Sequence, residues 1–408
     1  MNFSNRISNM DFSPIRKLAP FAKEAEKKGL KVYHLNIGQP DVKTPDTFFQ
    51  GITNYNEEIV KYSDSQGIDL LIESFMQSLA DSNIYFEKDE IMITHGGSEA
   101  IQFALMATCD PGDEVLSPEP FYSNYSSFAK VAGAKLVPVE TKIENDFHLP
   151  SKEEIKSKIT DRTKCILISN PCNPTGTVYS YEELKMLGEL AKEHDLFLIA
   201  DEVYRQFIFD NIPYNSCMHL TDILDRVILV DSISKHYSAC GARIGLVASK
   251  NGELMHQILK LCQARLCVST IEQFAASNLI NTMNSYITDV KMQYKKRRDI
   301  MYNKLSNIPG VICSKPKGAF YMLAKLPVDD TDKFAKWLLT DFSYEGATLM
   351  FAPGSGFYAT EGLGKNEARF SYCTSIEDIE NSMVILEKAL DEYCNKINKS
   401  GKLAIEAE

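Results

Sequence analysis

The chain has 408 residues, 44% hydrophobic and 24% charged, with a formal net charge of −11. That length predicts two domains, while the acidic balance without a basic stripe argues against a nucleic-acid surface and no apolar run approaches the roughly 20 residues that span a bilayer. No signal-peptide pattern follows Met1 and the 10 cysteines form no C-x-x-C pair, so free thiols in the cytoplasm are expected in place of a disulfide frame or a metal site.

Residues 13–28 read as a helix, with Ser13 as N-cap, Pro14 in the first turn and Gly29 as the stop. A strand from Val32 leads into the Gly/Pro turn Gly38-Gln-Pro40. Gly38 there permits close backbone approach, to a substrate or to nothing more than the turn itself. Tyr62 lies in the polar loop 61–67, and helix 68–80 follows. The next strand breaks at Gly96-Gly97 and a helix is predicted to open at Ser98. Free N–H groups at a helix start cradle phosphate, although a glycine pair also serves as a plain connection.

Between 110 and 250 short apolar strands alternate with helical stretches. Strands are expected at 114–117, 135–139, 165–169, 196–200, 227–230 and 244–248, and helices at 121–132, 151–158 and 181–194. This is the pattern of an α/β protein with a mostly parallel sheet covered on both faces. Ligands of such sheets sit at the carboxyl ends of the strands.

Four clusters fall at those ends. Pro120-Phe-Tyr122 places an aromatic where it would stack on a flat ring or pack in the core. Ser169-Asn-Pro-Cys-Asn173-Pro-Thr-Gly176 is a rigid double Asn-Pro turn whose Asn173 amide suits a phenolic oxygen. Asp201 ends an apolar strand, where a carboxylate must be paired or neutralised. A protonated pyridine nitrogen is one such partner, with Tyr204 near the ring hydroxyl; a plain capping aspartate is the other reading. Ser232-Ile-Ser234-Lys235, followed by Gly241-Ala-Arg243, puts a lysine just past a buried strand. Desolvation there is expected to lower its pKa and leave a neutral amine able to form a Schiff base, with the serines and Arg243 on a phosphate. A surface lysine would read the same way locally.

Residues 252–307 read as mostly helical, with 295–298 a solvated basic patch. A second group follows: a strand within 316–324, helix 331–342, strands 347–351 and 368–373, and a last helix from 376 to about 395. The tail from Lys396 is expected to be disordered. Arg369 lies in a late strand, where its planar fork suits a carboxylate, from a substrate or from an internal ion pair.

In this order the motifs resemble the class I/II aminotransferases of pyridoxal-phosphate fold type I, from about residue 30 to 395. The resemblance implies a large α/β domain (46–295) with a mostly parallel seven-stranded sheet. It implies a smaller α+β domain made from both chain ends (1–45 and 296–408). Lys235 would carry pyridoxal 5'-phosphate as a Schiff base and shuttle the Cα proton. Asp201 would hold the ring nitrogen, Asn173 and Tyr204 the ring oxygen, and Tyr122 the ring face. Gly97, Ser98, Ser232, Ser234 and Arg243 would surround the phosphate, and Tyr62 would reach the phosphate of a second copy in a homodimer with shared sites. Arg369, Asn173 and Gly38 would hold the substrate α-carboxylate.

The implied reaction passes an amino group from an amino acid to a 2-oxo acid in two half-reactions. Part of the family reads a distal substrate carboxylate with a lysine after the glycine pair, where this chain has Ser98. Arg265 resembles an arginine that does the same across the dimer, so aspartate and 2-oxoglutarate are the expected substrates. The chain also lacks the tryptophan often found between Gly241 and Arg243. Aromatic or broad specificity therefore stays open, as does a pyridoxal-phosphate lyase or decarboxylase on the same fold. A ligand-sensing regulator would need a further DNA-binding domain, for which the stretch before residue 30 leaves no room.

Overall fold

The computed structural model describes residues 3–405 apart from Asn9, Asp11 and Asn284, with side chains described to Lys396. After a short strand β1 (Lys31–His34), seven strands build the large sheet. They are β2 (Ile91–Thr94), β3 (Glu114–Glu119), β4 (Lys135–Glu140), β5 (Thr163–Ser169), β6 (Phe197–Asp201), β7 (Val227–Ser232) and β8 (Gly245–Ala248). Their order across the sheet is β2-β8-β7-β6-β5-β3-β4. β8 pairs antiparallel with both neighbours, and the other pairs are parallel.

The apolar runs are continuous because both faces are buried. Leu198, Ala200, Leu229 and Leu246 pack into one core, and Ile199, Ile228, Val230 and Val247 into the core on the opposite face. Each fully buried Val, Leu or Ile contributes roughly 1.5–3 kcal/mol. A register slip would exchange one apolar set for another, so the sheet relies on its helices to fix each face.

The C-terminal group holds β9 (Ile312–Cys313), β10 (Tyr321–Lys325), β11 (Ala347–Met350), β12 (Ala352–Pro353) and β13 (Glu367–Ser371). β10 pairs antiparallel with both β9 and β13. β1 pairs in parallel with β11, Lys31 opposite Ala347, so the N-terminal segment joins this group. Its core draws Leu18, Ala22, Tyr33 and Leu35 together with Phe334, Phe370 and Leu386. Helix Ser285–Leu305 is continuous through 295/296, where the sequence places a boundary, and its Val290, Tyr294 and Met301 belong to this same core.

Four local expectations are corrected. The first helix runs only over Ala19–Lys27, after a turn at 14–18. Pro20 explains the difference, because proline fits a first turn and breaks a helix interior. The phosphate-cradle helix opens at Gly96, two residues before Ser98. The basic patch is not all solvated: Arg298 is 0% exposed, with Nη2 2.8 Å from Asp210 and 2.7 Å from Asp299. The last helix continues to Ile405, so the tail is helical up to there, and the rest of the expected disorder lies outside the described residues.

Candidate active site

β5, β6 and β7 run in parallel and end at Ser169, Asp201 and Ser232. β8 runs the other way, so its first residue, Gly245, lies opposite both Ser232 and Thr94. Arg243 and the Gly96 helix start therefore reach the edge where the parallel strands end. The approach is close. A Cβ on Gly245 would lie 2.6 Å from the Gly96 carbonyl carbon and 2.8 Å from the Gly97 nitrogen. A Cβ on Gly96, which has φ +72°, would lie 2.6 Å from Arg243 Nη2. Arg243 adopts φ 54°, a left-handed conformation that non-glycine residues rarely hold. Its guanidinium donates to the carbonyls of Cys240 (2.9 Å) and His95 (3.2 Å).

A cavity of about 980 Å³ opens at this edge, and twelve of the fourteen residues singled out in the sequence border it. They are Gly38, Gly97, Ser98, Tyr122, Asn173, Asp201, Tyr204, Ser232, Ser234, Lys235, Arg243 and Arg369. The charge of the lining is opposite to that of the chain. Arg16, Lys23, Lys235, Arg243 and Arg369 face only two carboxylates, Glu26 and Asp201, in a chain of net charge −11. Such a cavity favours anionic ligands.

Asp201 is 5% exposed. Tyr125 donates to its Oδ2 at 2.8 Å and the Val203 amide to its Oδ1 at 3.4 Å. Burial raises its pKa to about 6, against the lowering effect of those hydrogen bonds. Among the described residues no cation forms an ion pair with it.

Arg369 is the complementary case. It is 1% exposed, and its fork donates to Asn173 Oδ1 (3.0 Å) and to the Asn36 carbonyl (2.6 Å). Its Nε has no partner. No described carboxylate pairs with it, so the internal salt bridge that the sequence left open is not formed. Burial lowers its pKa, as expected for a guanidinium without a counter-ion.

Lys235 donates from Nζ to the Gly38 carbonyl at 2.8 Å, and Cys240 Sγ lies 3.8 Å away. Gly38 is required by its neighbours, since any Cβ would overlap the Tyr321 hydroxyl. The expected depressed lysine pKa is not found in the chain alone. Burial does lower it, but Tyr321, Cys240, Cys373 and Tyr122 together favour the ammonium and raise it overall. Tyr204 is buried with its hydroxyl 2.8 Å from that of Tyr321. Tyr122 accepts from Asn124 at 2.8 Å and meets the Tyr125 ring edge-on. Ser232 Oγ donates to the Ile244 carbonyl and lies 2.8 Å from Ser234 Oγ, so both hydroxyls stiffen the lysine turn.

Two residues lie elsewhere. Tyr62 is 80% exposed. Arg265 donates to the carbonyls of Ile93 (3.0 Å) and Ser65 (3.4 Å) and lies 3.6 Å from Glu99. Residues that sequence reasoning passed over are Tyr125, Asn36, Tyr321 and Cys240. Tyr125 stands three residues after Tyr122 in the same aromatic run, which was its one visible signal.

Residues 31–386 match the family described as aminotransferase class I and II. The chain belongs to that family. It is 34% identical over 400 residues to a probable aspartate/prephenate aminotransferase of Aquifex aeolicus, covering 95% of this chain and 98% of that one. The solved aspartate aminotransferase of Thermotoga maritima is 31% identical with a TM-score of 0.87, covering 95% of this chain and all of that one. An alanine aminotransferase of Pyrococcus furiosus is 32% identical with a TM-score of 0.87, covering 96% of this chain and all of that one. The fold is that of fold type I, as the motifs implied. Among the described residues no helix is long and apolar enough to cross a membrane.

Proposed function

We propose that this aminotransferase moves the amino group of an L-amino acid, aspartate foremost, to 2-oxoglutarate in a two-step exchange that uses pyridoxal phosphate. The observation that carries the reading is a pair of unmatched buried charges in one cavity: Asp201 without a cation and Arg369 without an anion. A cofactor with a cationic ring nitrogen and a substrate with a carboxylate supply the two missing partners. The amide groups at the Gly96–Ser98 helix start, with Arg243, suit a phosphate. These residues fit the cofactor.

Bound there, pyridoxal phosphate supplies an electron-withdrawing ring that stabilises negative charge at the substrate Cα. Asp201 would hold the ring-nitrogen proton, and Asn173 and Tyr204 would bond the ring oxygen. Tyr122 would cover the ring face. Ser232, Ser234, Gly97, Ser98 and Arg243 would bind the phosphate. Arg369 takes the α-carboxylate in its fork, beside Asn173 and the Gly38 backbone, and so fixes the Cα–H bond toward Lys235. Lys235 then accepts and returns that proton, which is general acid–base catalysis at a positioned amine.

The name borne by the Thermotoga relative supports aspartate, whereas that of the Pyrococcus relative keeps a smaller neutral donor in view. A homodimer is supported by exposed apolar residues around Tyr62. Ile59 and Val60 are 64% and 60% exposed. Thr270 bonds the Lys61 carbonyl at 2.8 Å, which ties this loop to helix Thr270–Ser277. The ten free cysteines support a cytoplasmic protein.

The test is a visible absorption spectrum of the protein reconstituted with pyridoxal phosphate, before and after each of a panel of amino acids. In a steady-state assay, oxaloacetate formed from aspartate over many turnovers only when 2-oxoglutarate is present supports transamination. Carbon dioxide or ammonia released without an acceptor would make it a lyase.

A further inference from the structure

Three arginines border the cavity. Arg243 is held at the glycine edge, and Arg369 is sunk beside Asn173. The third, Arg16, is exposed on the cavity wall, and its side chain makes no hydrogen bond or ion pair with any described residue. In a chain with 55 acidic residues, acidic partners are not scarce. The next residue, Lys17, pairs with Asp332.

The turn that carries Arg16 is anchored on several sides. Lys17 ties it to Asp332, Pro14 packs against Gly356, and Asn36 Nδ2 donates to the Ile15 carbonyl at 3.3 Å. Asn36 also takes Arg369 Nη2 on its own carbonyl. One residue thus links the buried fork to the turn that presents Arg16. The other cavity cations have tasks or poorer chemistry. Lys23 is a hydrated point charge three residues before Glu26, which pairs with His34 at 3.2 Å. Ser98 carries no charge, and Arg265 does not border the cavity, its Nη2 donating to the Ser65 and Ile93 carbonyls and its Nε lying 3.6 Å from Glu99.

We propose that Arg16 binds the side-chain carboxylate of a dicarboxylic amino acid or oxo acid, and so sets substrate preference from within the same chain. The assignment rests on the aminotransferase reading above. Arg369 holds the α-carboxylate, and Arg16 closes on the distal one with a planar fork that suits it.

The experiment follows the cofactor absorbance in single half-reactions, so that each donor is tested without an acceptor. Aspartate and glutamate are compared with alanine and phenylalanine in wild type, Arg16→Gln, Arg16→Lys, Lys23→Gln and Arg265→Gln. Binding of succinate, an unreactive dicarboxylate, is measured on the same proteins by calorimetry. Arg16→Gln is expected to lose about tenfold or more in kmax/Kd for the two acidic donors and in succinate affinity. Alanine and phenylalanine are expected to change less than about threefold, and Arg16→Lys to recover part of the loss, as a retained charge should. Equal losses on all four donors, no loss on any, or a selective loss in Arg265→Gln or Lys23→Gln in its place would overturn the assignment. A wild type that converts no amino acid overturns the aminotransferase reading, and the succinate arm still decides Arg16. A wild type indifferent to the distal carboxylate overturns Arg16 and leaves the aminotransferase reading standing.

Discussion

Two buried aspartates stand at or next to the ends of adjacent strands and are treated in opposite ways. Asp231 in β7 is 0% exposed and takes Arg205 Nε at 2.8 Å, with the Ser232 amide at 2.7 Å. Arg205 in turn reaches Ser82 (3.1 Å) and Ser78 (2.9 Å). Asp201 in β6, equally enclosed, has only Tyr125 and a backbone amide. The same contrast separates two arginines: Arg205 has its carboxylate, and Arg369 has none. Away from the cavity Arg205 and Asp231 complete each other, whereas Asp201 and Arg369, which border it, are each left without a counter-ion. Burial of an unmatched charge is costly, so the pattern marks where ligands complete the protein.

The sharpest break of that contrast is a pair of matched substitutions. Arg205→Met should cost about 3–5 kcal/mol of unfolding free energy, because it strands the Asp231 carboxylate. Arg369→Met should cost clearly less stability, since it strands no charge and leaves only the neutral Asn173 and Asn36 oxygens without a donor. Its cost should appear in kcat/KM, by about 2–5 kcal/mol of transition-state stabilisation. Urea unfolding and steady-state kinetics on both variants check this. A stability loss in Arg369→Met as large as in Arg205→Met would mean that Arg369 is structural.

Next in size is a pH effect at Asp201. Its pKa stands at about 6 in the folded chain, against 3.8 for an ordinary aspartate. Between those values the folded state holds a proton that the unfolded state has released. Stability from this group is therefore full below pH 3.8 and falls as pH rises toward 6, by a total of about 3 kcal/mol. Asp201→Asn lacks the effect, so the variant without cofactor should be the more stable of the two at pH 7. Glu202, raised to about 7 chiefly by burial, has the same sign in both proteins and drops out of the difference. Adding pyridoxal phosphate should reverse the order, because a cation facing Asp201 restores the favour to its charged form. Unfolding curves at pH 4, 6 and 7, with and without cofactor, would show it. A variant never more stable than wild type would mean that Asp201 already has its partner.

Much of this was legible in the chain, for a physical reason. A sheet buried on both faces writes each strand as an unbroken apolar run, so strands β3 to β8 stand within a few residues of where pattern places them. The residues at their carboxyl ends then follow from topology. What pattern could not give is which tertiary partner each charge finds. Arg298 sits in a basic run that looks solvated, yet it lies buried against Asp210, 88 positions away. Holding Asp210 in that contact lowers the carboxyl's pKa to about 2. Tyr125 and Tyr321 look like core aromatics until their hydroxyls meet Asp201 and Tyr204. The absent partner of Arg369 is the most useful feature of the site, and no sequence pattern displays an absence.

The smallest expected effect lies outside the cavity. Tyr62 is 80% exposed, while the residues on either side of it are fastened: Lys61 by its carbonyl to Thr270, and Ser63 by its hydroxyl to Gln273 at 2.8 Å. A large aromatic on a fixed loop, next to exposed Ile59 and Val60, has reason to be there only if something covers it. If a second copy does, and the Tyr62 hydroxyl reaches the neighbour's phosphate, Tyr62→Phe removes one hydrogen bond to a charged group. Cofactor affinity should then fall by about 1.5–3 kcal/mol, with the dimer intact by light scattering. Ile59→Asp, by contrast, should shift the protein toward monomer and weaken cofactor binding with it. A monomeric wild type that binds cofactor as tightly as either variant would place every cofactor contact within one chain and leave Tyr62 a surface residue.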